Sequence, residues 1–351
     1  MQDYEKFVCI YNRKKPRINK KILKFCQKFE YWDGNKFYGI GNILKMYAGL
    51  PLFFPLNFRI QHGMAFFYLF NNPLSLKEIT DFYISQDKNC KLLTFNEKLD
   101  EFFRNNHYDN IHAIGAPIIY LEDYIKSKVV LEKKGTIVFP QHGIEQIDVI
   151  IDYDEYIEGL CNLPKKFHPI TICMHYIDIQ RGYANSFIDK GFKVICNGNL
   201  RDPYFLYNFI DNCSSFEYVT TNEINSSALY YAIFLGLKGF IYGPNSKMKS
   251  LSTLYSNSVQ EIIKDFPYEF PITSVEDYQR QIEISQKELG VNIRLSKKEM
   301  RKLLIRGINI EFIMNYLFFV TNAISNEKFK KIVWVILTKI QFLTRVFQQY
   351  L

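Results

Sequence analysis

Gly135-Thr136-Ile137-Val138-Phe139-Pro140-Gln141-His142-Gly143 joins a short β-branched run to a polar turn. Phe216-Glu217-Tyr218-Val219-Thr220-Thr221-Asn222 does the same and leads into Asn225-Ser226-Ser227-Ala228-Leu229, the opening of an apolar helix. Three further apolar runs, at 170–174, 192–196 and 239–242, share this character, so residues 136–139 and 216–220 are two of five expected strands. Stretches 154–163, 183–190, 203–212 and 226–235 lie between them, each long enough for two or three helical turns. Strand–helix alternation at this spacing predicts βαβ units and a parallel sheet covered on both faces. Such sheets hold ligands beyond the carboxyl ends of their strands.

Upstream the same pattern recurs less cleanly, with strands expected at 7–11, 58–61, 91–95 and 110–114 and helices at 20–29, 42–48 and 97–105. A charged stretch, 120–134, joins the two halves. After Pro244 the alternation stops and helices are expected at 258–264, 275–288, 297–305, 309–323 and 328–350. The expected organisation is therefore α/β: two facing Rossmann-like domains, 1–125 and 126–250, followed by a helical, basic amphipathic region, 251–351.

Hydrophobic residues make up 48% of the 351, ample material for buried cores. The seven cysteines form no CxxC pair and several sit inside apolar runs, as free thiols in a reducing compartment do. Met1-Gln2-Asp3-Tyr4-Glu5 lacks the basic and apolar regions of a secretory leader, and no run reaches about 18 apolar residues. The expected location is cytoplasmic, peripheral at the inner face of the cytoplasmic membrane. Net charge is +8, and the segment from Arg294 to the end, with eleven basic and three acidic residues, carries all of it. In the last helix Phe329, Ile332, Val333, Ile336, Ile340, Leu343 and Phe347 make one face, with Lys330, Lys331, Lys339 and Arg345 off it. Such a helix suits an anionic membrane surface. A helix packed on the first domain with a charged outer side fits the same pattern. The basic residues interleave with Ile, Leu and Val and show no groove-reading or stacking motif, so nucleic acid is not expected as a partner.

The expected strand ends are polar. His175 and Asp178 follow the second strand of the readable half, and Asn197-Gly198-Asn199-Leu200-Arg201-Asp202 follows the third. Asn222, Asn225, Ser226 and Ser227 precede a helix whose free N–H groups suit a phosphate, although Asn225 or Ser226 is equally placed simply to cap it. His142 and His62 each precede a glycine at a strand end, where an imidazole can donate to a phosphate, orient a hydroxyl or carry a proton. A histidine satisfied by a backbone carbonyl is the plainer alternative, and serves for His62. Among the carboxylates near this edge, Asp178 and Asp202 stand out over Glu145 and Asp148 as candidates for acid–base or nucleophilic work with His142. No metal-ligating cluster is visible, so a site without metal or other cofactor is expected.

Gly39-Ile40-Gly41-Asn42-Ile43-Leu44-Lys45, Gln61-His62-Gly63, Phe139-Pro140-Gln141-His142-Gly143 and Asn222-(x)4-Ser227-Ala228-Leu229-Tyr230-Tyr231-Ala232 occur in that order. The series resembles bacterial GT-B glycosyltransferases of capsule and lipopolysaccharide O-antigen assembly, most of all those using CMP-activated ulosonic acids such as Kdo. That resemblance implies a nucleotide-sugar donor held by the second domain near His175, Asn197, Gly198, Asn199, Arg201, Asn222, Asn225, Ser226 and Ser227. It implies a glycan or lipid-linked glycan acceptor entering past Gly41, Asn42, His62 and Gly63. Two departures stand: His142-Gly143 where the family has His-Ser, and Ser226-Ser227 where it has Gly-Thr. A nucleotide-sugar epimerase, a polyol-phosphate transferase, or a non-catalytic polysaccharide assembly partner on the same architecture are the alternatives.

Overall fold

The computed structural model describes residues 3–8, 15–16, 20–64, 91–105, 107–128, 132–223, 226–250 and 272–323. Helices α1 (Lys20–Lys28) and α2 (Ile40–Tyr47) precede β1 (Arg59–Ile60), β2 (Leu92–Thr94), α3 (Glu97–Asn105), β3 (Ile111–Ala113) and α4 (Glu122–Lys126). Strands β1, β2 and β3 pair parallel in that order, with Arg59 opposite Leu92 and Leu92 opposite Ile111. This small sheet is the frame of the first unit.

In the second unit β4 (Thr136–Val138) leads to β5 (Ile147–Ile150), α5 (Tyr153–Cys161), β6 (Ile170–Cys173), α6 (Tyr176–Gln180), α7 (Ala184–Ile188) and β7 (Lys193–Ile195). Then come α8 (Phe205–Cys213), β8 (Tyr218–Thr221), α9 (Ser227–Phe234), β9 (Lys238–Ile241) and β10 (Lys247–Ser250). The five strands foreseen in this half form one wholly parallel sheet in the order β7-β6-β4-β8-β9. Its direction of growth reverses beside β4, first towards β6 and β7, then towards β8 and β9. That is the doubly wound Rossmann order, and its switch point lies between β4 and β8. The central strands β4, β6 and β8 are buried along their whole length, as their continuous Ile, Val and Thr content requires of a sheet covered on both sides.

The two units share a core. Ile43 and Leu44 of α2 belong to the same buried apolar cluster as Leu206 and Phe209 of α8 and Leu229 of α9. A second cluster, including Tyr156, Leu160 and Phe187, fills the other face of the five-stranded sheet. Helix α10 (Tyr278–Glu288) lies on the second unit, where Gln281 donates to the Gly239 carbonyl (2.6 Å) and accepts from its N–H (2.8 Å). The chain then crosses back. Helix α11 (Lys297–Arg306), opened by a Ser296–Glu299 capping box, sinks Met300 and Leu304 into the cluster shared with α2. Helix α12 (Ile310–Ala323) follows.

Two expectations need correction. Residues 7–11 were expected to be a strand of the first sheet. Instead Tyr4–Phe7 is a 3-10 helix capped by Asp3, and Val8 makes an isolated parallel bridge to Cys196 at the edge of the second sheet, while residues 9–11 lie outside the described residues. Strand pairing also continues beyond Pro244, because β10 pairs antiparallel with β5. That ribbon joins two segments about a hundred residues apart, so local pattern could not reveal it. Expected helices at 258–264 and 328–350 lie outside the described residues.

The units meet at Tyr38 and Gly39, both with positive φ (55° and 73°), where the Tyr38 N–H donates to the Leu200 carbonyl (2.7 Å). A Cβ on Gly39 would overlap the Pro203 carbonyl. Gly39→Ala should therefore lower stability by about 1–2 kcal/mol from backbone strain alone, and more from the overlap. Gly34, with open space around it, is the control. A denaturant titration in which both alanine variants match the parent would show that the units do not meet this way.

Candidate functional site

A cavity of about 290 Å³ opens at the switch point, between the carboxyl ends of β4 and β8 on one side and the His62–Met64 turn and Tyr38 on the other. Its position follows from the topology. The strands on either side of β4 connect to helices on opposite faces, so their loops diverge and leave a crevice. Here the first unit roofs it.

The turn carrying His142 has no secondary structure of its own, yet its backbone is held from three sides. Asn222 Oδ1 accepts from the Gln141 N–H (2.8 Å) while Asn222 Nδ2 donates to the Pro244 carbonyl (3.0 Å). Asp178 Oδ1 accepts from the Gly143 N–H (3.2 Å). Arg181 donates to the carbonyls of Ile144 (2.8 Å) and Ile147 (3.2 Å) and pairs with Asp148 (3.1 Å). A Cβ on Gly143 would crowd the Arg181 guanidinium and the Ile147 carbonyl. This packing is the physical reason for glycine where the resemblance led one to expect serine.

Held this way, His142 stacks on His175 with ring centroids 4.1 Å apart and planes 22° apart. His142 Nδ1 lies 2.9 Å from the Gly143 carbonyl, which can only accept, so Nδ1 carries a proton and Nε2 is the nitrogen open to further chemistry. His175 is different. Both its ring nitrogens are buried with no hydrogen-bond partner, and burial, then the neighbouring His142 and Arg181, hold its basicity well below that of an ordinary imidazole. A buried donor left unmade costs about 1–3 kcal/mol, so a ligand group that satisfies it recovers that energy. His62, on the opposite wall, is also neutral near pH 7: burial, then Arg59, lowers it to about 4.

Glu223 is the carboxylate of the cavity wall. Burial raises its carboxyl above the usual range, and the charge of His142 pulls the other way. Sequence reading passed over it inside the Asn222–Ser227 stretch. The available signal was its place two residues beyond β8, beside the switch point. Tyr38 and Tyr231 share the wall, with hydroxyls shifted upward by burial. No Lys or Arg lines the cavity among the described residues.

At the mouth, α9 begins. Ser226 is its buried N-cap but makes no side-chain capping bond, and the Ser227 hydroxyl accepts from the Met64 N–H (2.8 Å), linking the units. Ser226, Ser227 and Ala228 at the start of this turn border the cavity, while the Leu229 N–H is taken by the Ser226 carbonyl (3.1 Å). Asn197 and Gly198 also line it, Asn197 fixed by Asn212 (2.7 Å) and Asn208 (2.8 Å).

Other expected site residues stand apart from the cavity wall. Asp178 supports the His142 turn from behind, and burial raises its carboxyl while His142, the Gly143 N–H and Arg181 oppose. Asp202 accepts from the Tyr204 N–H (2.8 Å) and contacts Gly198; burial raises its carboxyl too. Asn199 donates to the Tyr4 hydroxyl (2.6 Å), and Arg201 forms an exposed pair with Asp33 (3.0 Å). Gly41 packs against Asn35 within α2, next to Asn42. Asn222 acts as the clamp just described, and Asn225 lies outside the described residues. No group of three or more His, Cys, Asp or Glu among the described residues could hold a metal ion.

No protein-family model matches the chain, and no curated protein matches it. Among solved structures it is similar to the wall teichoic acid polymerase TagF at 15% identity and a TM-score of 0.36, over 72% of this chain and 66% of that chain. Likeness of that order is a loose one of chain path.

Lowered histidines make the fold sensitive to acid. The unfolded chain takes up protons below about 6.5, whereas folded His62 does so only near 4 and His175 well below its ordinary value. Stability they contribute is present above about 6.5 and lost as pH falls from there through the folded values. His62→Gln should flatten the fall in melting temperature between pH 6.5 and 4. An unchanged pH profile would mean that His62 is solvated.

Proposed function

We propose that this chain is a glycosyltransferase that moves a sugar from a nucleotide-activated donor to the hydroxyl of a surface-polysaccharide acceptor, with chemistry at the cavity between β4 and β8. The observation that carries the reading is His175. It is a buried imidazole with both nitrogens unsatisfied, beside the open first turn of α9 and under a second, immobilised histidine. A donor phosphate placed there would accept from the α9 N–H groups and from the neutral His175 N–H, which together stabilise the charge that grows as the sugar–phosphate bond breaks.

The acceptor hydroxyl must lose a proton as it attacks. Two groups on the wall can take it: the Glu223 carboxylate, made more basic by burial, and His142 Nε2. We assign the proton to Glu223, with His142 balancing its charge. Asp178 and Asp202 then act on the chemistry indirectly, by holding the His142 turn and the Gly198 turn. Among the described residues no Lys or Arg lines the wall, and the groups there that can meet donor charge are N–H dipoles and imidazoles. That favours a donor with a single phosphate, consistent with the resemblance to transferases of CMP-linked ulosonic acids such as Kdo.

The test is a thermal-shift series with CMP, UDP, GDP and CDP, since a nucleotide that binds the folded state adds RT ln(1 + [L]/Kd) of stability. A CMP-selective shift that disappears in His175→Ala is expected. No shift with any nucleotide would overturn the proposal, and a shift confined to CDP would favour polyol-phosphate transfer.

Glu223→Gln should retain the nucleotide shift but lose ~10²–10⁴ in transfer rate, measured in EDTA. The same variant carries a stability signature. A carboxyl raised in the folded state contributes stability fully present below its unfolded value of about 4.3, lost as pH rises through the folded value. The amide variant should therefore melt above the parent at neutral pH and lose that advantage in acid. Full transfer activity in Glu223→Gln would remove it from the mechanism.

A further inference from the structure

Helices α11 and α12 present an apolar corner beside a basic face, and we infer that this corner docks on an anionic lipid bilayer. This does not rest on the reading of the cavity. Among the described residues no single helix is long and apolar enough to cross a membrane, and α11 and α12 reach that length together only across a 79° bend. A bent pair of this kind is suited to lie in an interface.

Helix α11 buries Met300 and Leu304 and turns Lys298, Lys302 and Ile305 outward, with Arg301 exposed beside them and donating to the Ala48 and Gly49 carbonyls. Five of its ten residues are basic and one, Glu299, is acidic. Its outer face therefore has the charge an anionic headgroup layer complements. Ile305 is 43% exposed at the end of this face.

Beyond the bend, α12 buries Phe312 and Met314 and exposes Ile310 (62%), Ile313 (43%) and Leu317 (37%), again at spacings of three and four. Aromatic contacts secure the opposite side: Tyr31 meets the rings of Phe312, Tyr316 and Phe319 edge-on at 5.3–6.4 Å. Helix α12 is thus fixed to the first unit by one face while the other shows branched aliphatics to solvent. Ile305 and Ile310 flank the bend, five residues apart and both exposed.

Three isoleucines and a leucine on a rigid corner would enter the headgroup–acyl boundary, and the α11 cations would reach lipid phosphates. A protein partner would have to match the same combination of shallow aliphatics and net charge of +4 on ten residues. The sequence places all of the chain's net positive charge from Arg294 onward, which includes this corner.

The full chain should co-sediment with vesicles of phosphatidylcholine and phosphatidylglycerol (7:3) and not with phosphatidylcholine alone. Binding should weaken sharply towards 1 M salt, where the Debye length is about 3 Å. Lys298→Glu with Lys302→Glu should weaken it by roughly tenfold or more, and Ile310→Asp with Ile313→Asp should do the same. Both double variants should melt at the parent temperature, because the four side chains are exposed. Vesicle binding that survives both variants would place attachment elsewhere in the chain and overturn the inference. So would an absence of binding to either vesicle, or a self-association of the parent, seen by sedimentation velocity, that Ile310→Asp with Ile313→Asp abolishes. Removing residues 324–351 supplies the last arm: if the corner is the docking element, the truncated chain still binds. Binding wholly lost with that segment would overturn the assignment.

Discussion

The cavity exists because β4 is paired on both edges, parallel to β6 and to β8, with Thr136 opposite Ile170 on one side and Tyr218 on the other. In that register three carboxyl ends finish at the same level. The histidine turn, the His175 turn and the start of α9 therefore emerge side by side, from segments that are far apart in sequence. A slip of one residue would send every side chain of β4 to the opposite face and separate those turns. Burial on both faces prevents it, since β4, β6 and β8 have no solvated face to exchange.

Charge around this point is divided between support and chemistry. Buried Asp178 and half-buried Arg181 and Asp148 form a cluster whose hydrogen bonds go to one another, to the backbone of residues 143–149 and to the Tyr183 hydroxyl. Burying such a group is costly unless it is fully satisfied, and here it is. The reward is a rigid turn and a fixed His142. Glu223 and His175 have the opposite character: both are displaced from their ordinary proton affinities by burial, and the two ring nitrogens of His175 have no hydrogen-bond partner. Within one small region, saturation of hydrogen bonds marks the groups that hold and its lack marks the groups available to a ligand.

The two α/β units are not loosely tethered. One apolar cluster passes from α2 through α8 and α9, and α10 and α11 return the chain from the second unit to the first. Tyr47 donates to the Leu295 carbonyl (2.9 Å), Asn57 to the Gly307 carbonyl (2.8 Å), and Leu289 accepts from the Ala116 N–H (2.9 Å), so the crossing is fastened at several points. Burying that shared surface sets the distance between the walls of the cavity. The same return path brings α11 and α12 to the outside of the first unit.

The sequence by itself determined the elements and their class. β-Branched runs such as Thr136-Ile137-Val138 and Ile170-Thr171-Ile172, alternating with helices, specify a doubly covered parallel sheet, and polar residues at their ends mark the ligand-bearing edge. His142, His175, Ser226 and Ser227 were legible that way, because strand direction alone tells which end of a run faces the crevice. Only the tertiary structure decided which polar residues point into the cavity. Asp178 and Glu223 follow parallel strands in similar local contexts, yet one turns back onto the Gly143 peptide and the other lines the wall. Asp178 is held by the Gly143 N–H and by Arg181, which it shares with Asp148, and the contacts to Gly143 and Asp148 join segments that no local pattern relates. The β5–β10 ribbon and the docking of Val8 on Cys196 escaped the sequence for the same reason. Local propensity fixes the geometry of a segment, while its partners are chosen by burial and by hydrogen bonds that form only once distant segments have met.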